Sequence, residues 1–294
     1  MADRIGMVGV GAMGAAMWRR LRDVGVAATV YDVSDAAVAA LTAEGAQSAA
    51  DPGDVAADAD VVLVSVPRSE DVIAAISGSG GVTTRSRPGL LVIDLTSGAP
   101  SLSRQVAGAL AAKGAAYVDA GVSGGVQGAR SGALRVMVGA DDDAFGRARP
   151  VLELIGSQIW HCGGVGAGHA MKTVLNLANQ VKLVAEVEAL LVASKAGLDP
   201  RLVGEVCGMG VWNSWLLGPE GRRRFDFTMA NMCKDFDVAL GLATEGGVPV
   251  PVSAAAQHLL RGVLGEFADE DVVPDIIDYV GVLEKRARTR LSGA

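Results

Sequence analysis

Apolar runs and amphipathic segments alternate along the first half of the chain. Each run is short and carries its polar residues mainly at the carboxyl end, which is typical of parallel strands covered by helices on both faces. Segments between the runs, such as 13–24 and 101–113, repeat their apolar residues with helical spacing. The predicted strands are 5–8, 28–31, 61–66, 90–94 and 116–119. Two further strands, 134–138 and 158–160, flank a helix at 142–154 and are expected to extend the sheet.

Beyond Gly163 and Gly164 the pattern becomes helical and β-branched clusters become rare. The predicted helices are 168–196, 236–244, 252–264 and 273–290. We therefore expect two domains, a sheet domain at 1–162 and an all-helical domain at 163–294 for substrate binding and oligomerisation. Almost no linker separates them, so the helix that begins near residue 168 is expected to join the domains and to border the cleft between them.

Composition and charge exclude several classes of protein. The chain has 294 residues, half of them hydrophobic, and no apolar run reaches the roughly 20 residues that a membrane-spanning helix needs. A net charge of −7 gives no basic field for a nucleic acid. The amino-terminal residues lack the apolar region and cleavage site of a signal peptide, so we expect a cytoplasmic protein with neither a membrane nor a nucleic acid as partner.

Cysteine and histidine predict no metal centre. The three cysteines form no Cys-x-x-Cys pair, and no two of the three histidines have i,i+4 spacing. We expect neither a disulfide framework nor a bound metal.

A glycine-rich segment, Gly9-Val10-Gly11-Ala12-Met13-Gly14, follows the first predicted strand and opens the first helix. In that setting the glycines suit a dinucleotide: the first allows a tight turn, the second lets the backbone approach the pyrophosphate, and the third lets the helix pack on the strand. The amino end of the helix adds N–H donors. The predicted fold class is therefore α/β, a Rossmann-type dinucleotide-binding domain followed by an all-α carboxyl-terminal domain and joined to it by a long interdomain helix.

Asp32 ends the second predicted strand and is expected to select the dinucleotide. Its carboxylate can accept hydrogen bonds from both adenosine ribose hydroxyls and repel a 2′-phosphate, which favours NAD over NADP. The alternative is a turn residue before the next helix. Val66, Pro67 and Thr96 follow two other strands at the edge where such sheets bind ligands, and we expect them to contact the cofactor.

A polar stripe crosses the helix that begins near residue 168. His169, Lys172, Asn176 and Asn179 fall on one narrow face of an otherwise apolar helix. Such a stripe lines a site or, as the alternative, is a solvated face. Lys172 is the best candidate for proton transfer, because a lysine can accept the proton that an alcohol loses during oxidation.

The segment Asp119 to Gly132 offers an anion site. Ser123-Gly124-Gly125 supplies consecutive backbone N–H groups and one hydroxyl, an arrangement suited to a carboxylate, although ordinary loops are also rich in glycine.

These motifs together give the chain a family resemblance that spans almost its whole length. It resembles the β-hydroxyacid dehydrogenases of the 3-hydroxyisobutyrate dehydrogenase type, and is also similar to tartronate semialdehyde reductase. Four signatures match in order: the loop Gly9 to Met17, the segment Asp119…Ser123-Gly124-Gly125, the helix Gly166 to Asn176 with Lys172, and Lys234-Asp235.

The resemblance implies an NAD-dependent oxidoreductase that interconverts a small 3-hydroxy acid and its semialdehyde or keto form. It implies that Ser123, Gly124 and Gly125 bind the substrate carboxylate, that Lys172 is the general acid/base with Asn176 beside it, and that Lys234 closes over cofactor and substrate. Asn213 and Ser214, between Trp212 and Trp215, fall where the family lines its outer substrate pocket. The two tryptophans can equally be core or subunit contacts. The resemblance also implies a homodimer or homotetramer.

Two positions depart from the family pattern. Gly121 stands where the family usually has proline, so the segment is expected to be looser or shaped for a different acid. Leu175 stands before Asn176 at a position often held by asparagine.

Several functions share this scaffold and remain open alternatives. The substrate can be 3-hydroxyisobutyrate, tartronate semialdehyde, a sugar acid such as threonate, or a sulfonate analogue. Imine reductases resemble this chain too, but their lysine position holds a different residue and their second strand favours NADP. A catalytically silent NAD-binding module would normally lack the lysine.

Overall fold

The computed structural model describes residues 4–209 and 229–266 of the chain. Contacts between residues divide the chain into two compact units, residues 1–173 and 174–294. The first unit is a sheet flanked by helices, and the described part of the second is helical. The domain boundary at 162/163 stays a prediction.

The described part of the first unit contains one eight-stranded sheet. In chain order its strands are β1 Ile5–Val8, β2 Ala28–Tyr31, β3 Gln47–Ser48, β4 Val61–Val64, β5 Leu91–Asp94, β6 Ala116–Ser123, β7 Leu134–Gly139 and β8 Gly156–Gly163. Across the sheet the order is β3-β2-β1-β4-β5-β6-β7-β8. The strand order reverses beside β1, so the loops after β1 and β4 leave the sheet next to each other, where doubly wound folds bind ligands.

Helices connect the strands and make up the described part of the second unit. Those before the last strand are α1 Ala12–Asp23, α2 Asp35–Thr42, α3 Pro52–Asp58, α4 Ser69–Ser77, α5 Val82–Arg85, α6 Pro100–Ala111, α7 Gly125–Ser131 and α8 Asp142–Ile155. After it come α9 Ala167–Lys195, α10 Pro200–Val206, α11 Met229–Glu245 and α12 Pro251–Glu266. The predicted interdomain helix is α9, which runs from the first unit into the second. The predicted helix 273–290 lies outside the described residues.

The predicted fold class is confirmed, and three details of the sheet differ from the sequence pattern or add to it. The sequence pattern misses β3, because this edge strand has two polar, exposed residues and thus no apolar run. It ends β6 at residue 119, whereas the strand continues to Ser123. It also gives no direction for the two further strands, of which β7 runs antiparallel to β6. The short α7 between them leaves no room for the long crossover that a parallel return requires.

Apolar side chains of successive strand residues enter cores on opposite faces of the sheet. In β4, Leu63 packs into one core with Met7 and Ile93, while Val62 and Val64 pack into the other. Two carboxylates, Asp94 and Asp119, stand at paired positions of β5 and β6 and are buried, so each needs hydrogen-bond donors nearby.

The close packing of α1 on β1 predicts unequal responses to two glycine substitutions. A Cβ at Gly14 would collide with the carbonyl oxygen of Gly9, so we expect Gly14→Ala to lower the free energy of unfolding by about 1–3 kcal/mol. At Gly146 in α8 no atom lies within 4 Å of the added Cβ. There we expect Gly146→Ala to stabilise the protein by up to about 1 kcal/mol. Urea denaturation of both variants tests this, and wild-type stability in Gly14→Ala would contradict the packing described.

Candidate active site

The glycine loop between β1 and α1 is shaped by two close backbone approaches. Gly9 has φ +89°, a conformation that favours glycine, and a Cβ there would strike the carbonyl of Ser65 after β4. Gly11 precedes α1 and faces open space, with no atom within 4 Å of an added Cβ. The first N–H groups of α1 have no side-chain cap. The loop thus presents backbone donors to a free volume, which fits a pyrophosphate.

Asp32 holds this loop in place. Its carboxylate accepts hydrogen bonds from the backbone N–H of Val10, at 2.7 Å, and of Ser34, at 2.9 Å. The bond to Ser34 is the turn role that was the alternative for this residue. The bond to Val10 ties the end of β2 to the glycine loop, so the same carboxylate stands where an adenosine ribose is expected.

Thr96 joins the carboxyl ends of β4 and β5. Its buried hydroxyl accepts a hydrogen bond from the Val66 N–H at 3.3 Å, and its own N–H donates to Asp94 Oδ1 at 3.0 Å. The Tyr117 hydroxyl donates to the other Asp94 oxygen at 2.8 Å. Burial and the charge of Asp94 raise the pKa of the Tyr117 phenol well above its usual value, so it remains a donor. Val66, which precedes Pro67, is therefore attached to a buried polar network.

Asp119 anchors the start of α9. Its carboxylate is fully buried and accepts from the Gly166 N–H at 2.6 Å and from the His169 N–H at 2.7 Å. These are amino-terminal N–H groups that the helix itself leaves without partners. Burial raises the pKa of the Asp119 carboxyl, while the neighbouring His169 and the two N–H donors oppose that rise. A side chain on β6 thus caps the helix that carries Lys172.

Glycines at the contact let α9 approach the antiparallel strands β6 and β7. A Cβ at Gly168 would overlap backbone atoms of β6 and β7, and one at Gly139 would lie 2.6 Å from the Gly168 nitrogen. Gly121 lies directly beneath the lysine, because a Cβ there would stand 2.5 Å from Lys172 Cβ. The expectation of a looser segment at Gly121 is wrong: the residue belongs to β6 and makes room for the half-buried Lys172.

Ser123, Gly124 and Gly125 lie at the turn from β6 into α7. Gly124 has φ +136° and Gly125 has φ +64°, so both positions favour glycine. No side chain caps the helix that follows. The Ser123 hydroxyl accepts a hydrogen bond from Arg135 Nη2 at 3.1 Å. Sequence reasoning did not single out Arg135, although it interrupts the apolar strand β7.

His169 belongs to the polar network of the first unit. The ring is buried, and its Nδ1 lies 2.7 Å from the hydroxyl of Ser103 in α6. Its Nε2 is buried without a hydrogen-bond partner. His169 is also one of the residues whose N–H meets Asp119, so it both begins the helix and links α9 to α6. Nothing in its sequence context predicts the second of these roles.

The second unit brings two of the predicted residues together. Asn176 is four residues after Lys172 on α9, and its amide donates to Asp235 Oδ2 at 2.7 Å. Lys234 Nζ lies 3.3 Å from Asp235 Oδ1. The predicted pocket residues Asn213 and Ser214 lie outside the described residues, as do Trp212 and Trp215.

Within the first unit, two groups of predicted residues occupy the carboxyl edge of the sheet. One consists of the glycine loop, Asp32, Val66, Pro67 and Thr96; the other of Ser123, Gly124, Gly125 and Lys172. Helices α1 and α7, which follow the two glycine segments, pack on each other, with Arg130 of α7 2.9 Å from Asp23. In the described residues no group of three or more His, Cys, Asp or Glu could hold a metal ion. None of the helices described there is both long enough and apolar enough to cross a membrane.

A doubly wound sheet with an open glycine loop at its switch point is typical of a dinucleotide-binding domain. Two family models match the chain in succession. Residues 4–164 match the NAD-binding domain of 6-phosphogluconate dehydrogenase, and residues 166–278 match the "NAD-binding of NADP-dependent 3-hydroxyisobutyrate dehydrogenase" family.

Several known proteins of similar sequence or structure are dehydrogenases. The chain is 37% identical over 266 residues to 2-(hydroxymethyl)glutarate dehydrogenase of Eubacterium barkeri, covering 88% of each chain. It is 32% identical over 287 residues to a 3-hydroxyisobutyrate dehydrogenase of Pseudomonas aeruginosa, covering 95% of this chain and 96% of that one. The solved 3-hydroxyisobutyrate dehydrogenase of Mycobacterium tuberculosis with L-serine is 28% identical, has a TM-score of 0.82, and aligns over 96% of this chain and 99% of its own.

The chain therefore belongs to the 3-hydroxyisobutyrate dehydrogenase family of β-hydroxyacid dehydrogenases. It is a dehydrogenase with an NAD-binding domain, and the predicted enzyme class and cofactor are confirmed.

Asp119 caps α9 through both carboxylate oxygens, so its replacement by asparagine is expected to cost more stability than the same change at Asp141, which uses one oxygen. An asparagine at this position would offer one oxygen and turn an amide NH2 toward the second N–H, so we expect Asp119→Asn to cost about 1–3 kcal/mol of stability and to lower kcat. Asp141 caps α8 through one oxygen, at 2.8 Å from the Ala144 N–H. Since asparagine caps as well as aspartate, Asp141→Asn should stay within about 0.5 kcal/mol of wild type. Thermal denaturation and initial rates test both variants; equal behaviour would contradict the role given to Asp119.

Proposed function

We propose that this protein transfers hydride between NAD and a small 3-hydroxy acid, with Lys172 as the general acid/base. One observation carries the proposal: the Lys172 stem is fixed over Gly121, on the face of β6 that also carries Ser123 two residues further on. The proton acceptor on α9 and the carboxylate-binding hydroxyl of β6 thereby lie over neighbouring positions of the same face of one strand.

Most residues of the proposed cofactor site belong to the first unit. Gly9 to Gly14 present backbone N–H groups to the pyrophosphate, Asp32 receives the adenosine ribose, and Val66, Pro67 and Thr96 lie at the nicotinamide side. A carboxylate at the end of β2 repels a 2′-phosphate, which supports NAD over NADP. Bound NAD would supply the hydride acceptor, its nicotinamide ring.

The substrate is oriented by its carboxylate. The Ser123 hydroxyl and the N–H groups of Gly124 and Gly125 bind this group, and the positive φ of both glycines supports a backbone turned toward an anion. Two relatives act, by their names, on 2-(hydroxymethyl)glutarate and 3-hydroxyisobutyrate, which both carry a hydroxymethyl group next to a carboxylated carbon.

Proton transfer falls to Lys172. In the direction of oxidation its amine accepts the hydroxyl proton as the carbon loses hydride, and in reduction the ammonium returns that proton to the carbonyl oxygen. The Asp119 cap and the close approach of Gly121 hold the stem of the lysine, so that fewer conformations must be lost on reaching the transition state.

The second unit supplies supporting residues in this proposal. Asn176, one turn after Lys172, orients the lysine or donates a hydrogen bond to the substrate hydroxyl, and its bond to Asp235 holds the amide. From the family resemblance we further propose that Lys234 closes over cofactor and substrate; Asn213 and Ser214, predicted for the outer pocket, lie outside the described residues. Homodimer or homotetramer formation and a cytoplasmic location stay predictions; exposed apolar side chains at Val192, Leu198, Leu202 and Val206 support self-association.

An imine reductase and a silent NAD-binding module are the competing functions. Lys172 argues against both, because its position and its rigid support serve proton exchange with an oxygen atom. Asp32 adds to the case against an NADP-dependent imine reductase.

The decisive experiment measures initial rates on a panel of 3-hydroxy acids, with NAD and NADP in parallel, for wild type and two lysine variants. We expect Lys172→Ala to lower kcat/KM by about 10²–10⁴-fold while the NAD dissociation constant changes less than about threefold. Lys113→Ala, at an exposed position after α6, is the matched control and should keep wild-type rates.

Near-normal turnover by Lys172→Ala would remove its role as acid/base. Tight NAD binding without turnover of any hydroxy acid would support the silent module, and turnover of imines alone would support the imine reductase. Faster turnover with NADP than with NAD would refute the role given to Asp32.

A further inference from the structure

The antiparallel strands β6 and β7 extend past Lys172 on the face of the sheet that the lysine covers. Residues two apart on a strand share a face, and Asp119 and Gly121 both meet α9, so Ser123 lies on this face as well. In the antiparallel pairing Ser123 stands opposite Arg135, and Gly121 stands opposite Met137. Arg135 is thus the cross-strand neighbour of Ser123 on the face that carries the lysine stem.

Arg135 is an unusual residue for its strand. The other five residues of β7 are buried, and Arg135 alone is exposed. Its guanidinium is 3.1 Å from the Ser123 hydroxyl, and no carboxylate of the described residues pairs with it. A solvated arginine elsewhere on the surface would need no explanation. Here it stands beside the hydroxyl to which the proposed function assigns the substrate carboxylate.

The donors present exceed the needs of one carboxylate. Ser123 accepts from Arg135 and still has its own proton to donate, and Gly124 and Gly125 add neutral N–H donors. Arg135 uses one of its five N–H groups in this contact, so its planar fork can bind another carboxylate through two parallel hydrogen bonds.

Charge balance also favours a dianion. The first carboxylate is assigned to neutral donors, the Ser123 hydroxyl and two backbone N–H groups. The positive charge of Arg135 is therefore available to a second anionic group, which a dicarboxylate carries and a monocarboxylate lacks.

We propose that Arg135 determines substrate specificity by binding a second anionic group, so that the preferred substrate is a 3-hydroxy acid with a second carboxylate. This inference rests on the proposed function, since it takes the first carboxylate to lie on Ser123, Gly124 and Gly125. It assigns the second carboxylate to a residue outside the motifs that carry the family resemblance.

The test compares two acids that differ in one group. 2-(Hydroxymethyl)glutarate ends in a carboxylate where 2-(hydroxymethyl)pentanoate ends in a methyl group. We expect wild-type kcat/KM to be at least about tenfold higher for the diacid, and Arg135→Met to lower the diacid value by about 10–100-fold, mainly through KM. The monoacid value should change less than about threefold. Arg135→Lys, which keeps the charge without the fork, should fall between.

Arg130→Met is the matched control, because Arg130 follows the same glycine segment but pairs with Asp23 on α1. It should leave the preference for the diacid unchanged. An equal loss for both acids in Arg135→Met would overturn the inference by placing Arg135 on the shared carboxylate. Unchanged values for both acids would make it a surface arginine and overturn the inference as well.

A binding measurement separates this inference from the proposed function. 2-Methylglutarate and 2-methylpentanoate lack the hydroxyl and cannot be oxidised, so calorimetry in the presence of NADH reports binding alone. Tighter binding of the diacid that Arg135→Met abolishes supports the second anion site even if no acid is turned over. Equal binding of the two acids to the wild type refutes it, whatever the outcome of the turnover assay.

Discussion

The rest of the candidate site depends on the bond between a buried carboxylate and the start of a helix. Asp119 lies on β6, and both of its oxygens accept from N–H groups at the amino end of α9. A buried charge is stable only when donors compensate it, and helix ends leave such donors unpaired. The contact therefore gives hydrogen-bond partners both to the carboxylate and to the helix N–H groups, and it fixes α9 on strands β6 and β7. Gly139 and Gly168 permit the approach, and Lys172 comes to lie over Gly121 as a consequence.

A second buried carboxylate, Asp94, organises the cofactor side of the first unit. Asp94 stands beside Asp119 across the β5–β6 pair and is bonded to Tyr117 and to the Thr96 N–H. Thr96 in turn accepts from Val66. The two buried aspartates thus organise two functions from neighbouring strands: one holds the segments proposed to contact nicotinamide, and the other holds the helix proposed to supply the proton acceptor. A hydride and a proton leave the same alcohol, so both supports must be rigid together.

The sequence predicts those elements whose residue pattern fits only one kind of backbone structure. The apolar runs predict the central strands, and Gly9 to Gly14 predict the loop, because these glycines fit few other backbone paths. The direction of β7 was not predictable in the same way, since it depends on how short α7 is. The roles of Asp119, His169 and Arg135 depend on partners distant in sequence, Gly166, Ser103 and Ser123. Periodicity shows that such residues interrupt an apolar element but does not show what they meet.

The most direct test of the central claim is the turnover of Gly121→Ala. The added methyl would lie 2.5 Å from Lys172 Cβ, so it must displace the lysine stem without touching the cofactor loop. We expect kcat for the best 3-hydroxy acid, at saturating NAD, to fall at least about tenfold while the NAD dissociation constant is unchanged. A folded Gly121→Ala enzyme with kcat within about twofold of wild type would show that the position of Lys172 on β6 does not govern the chemistry.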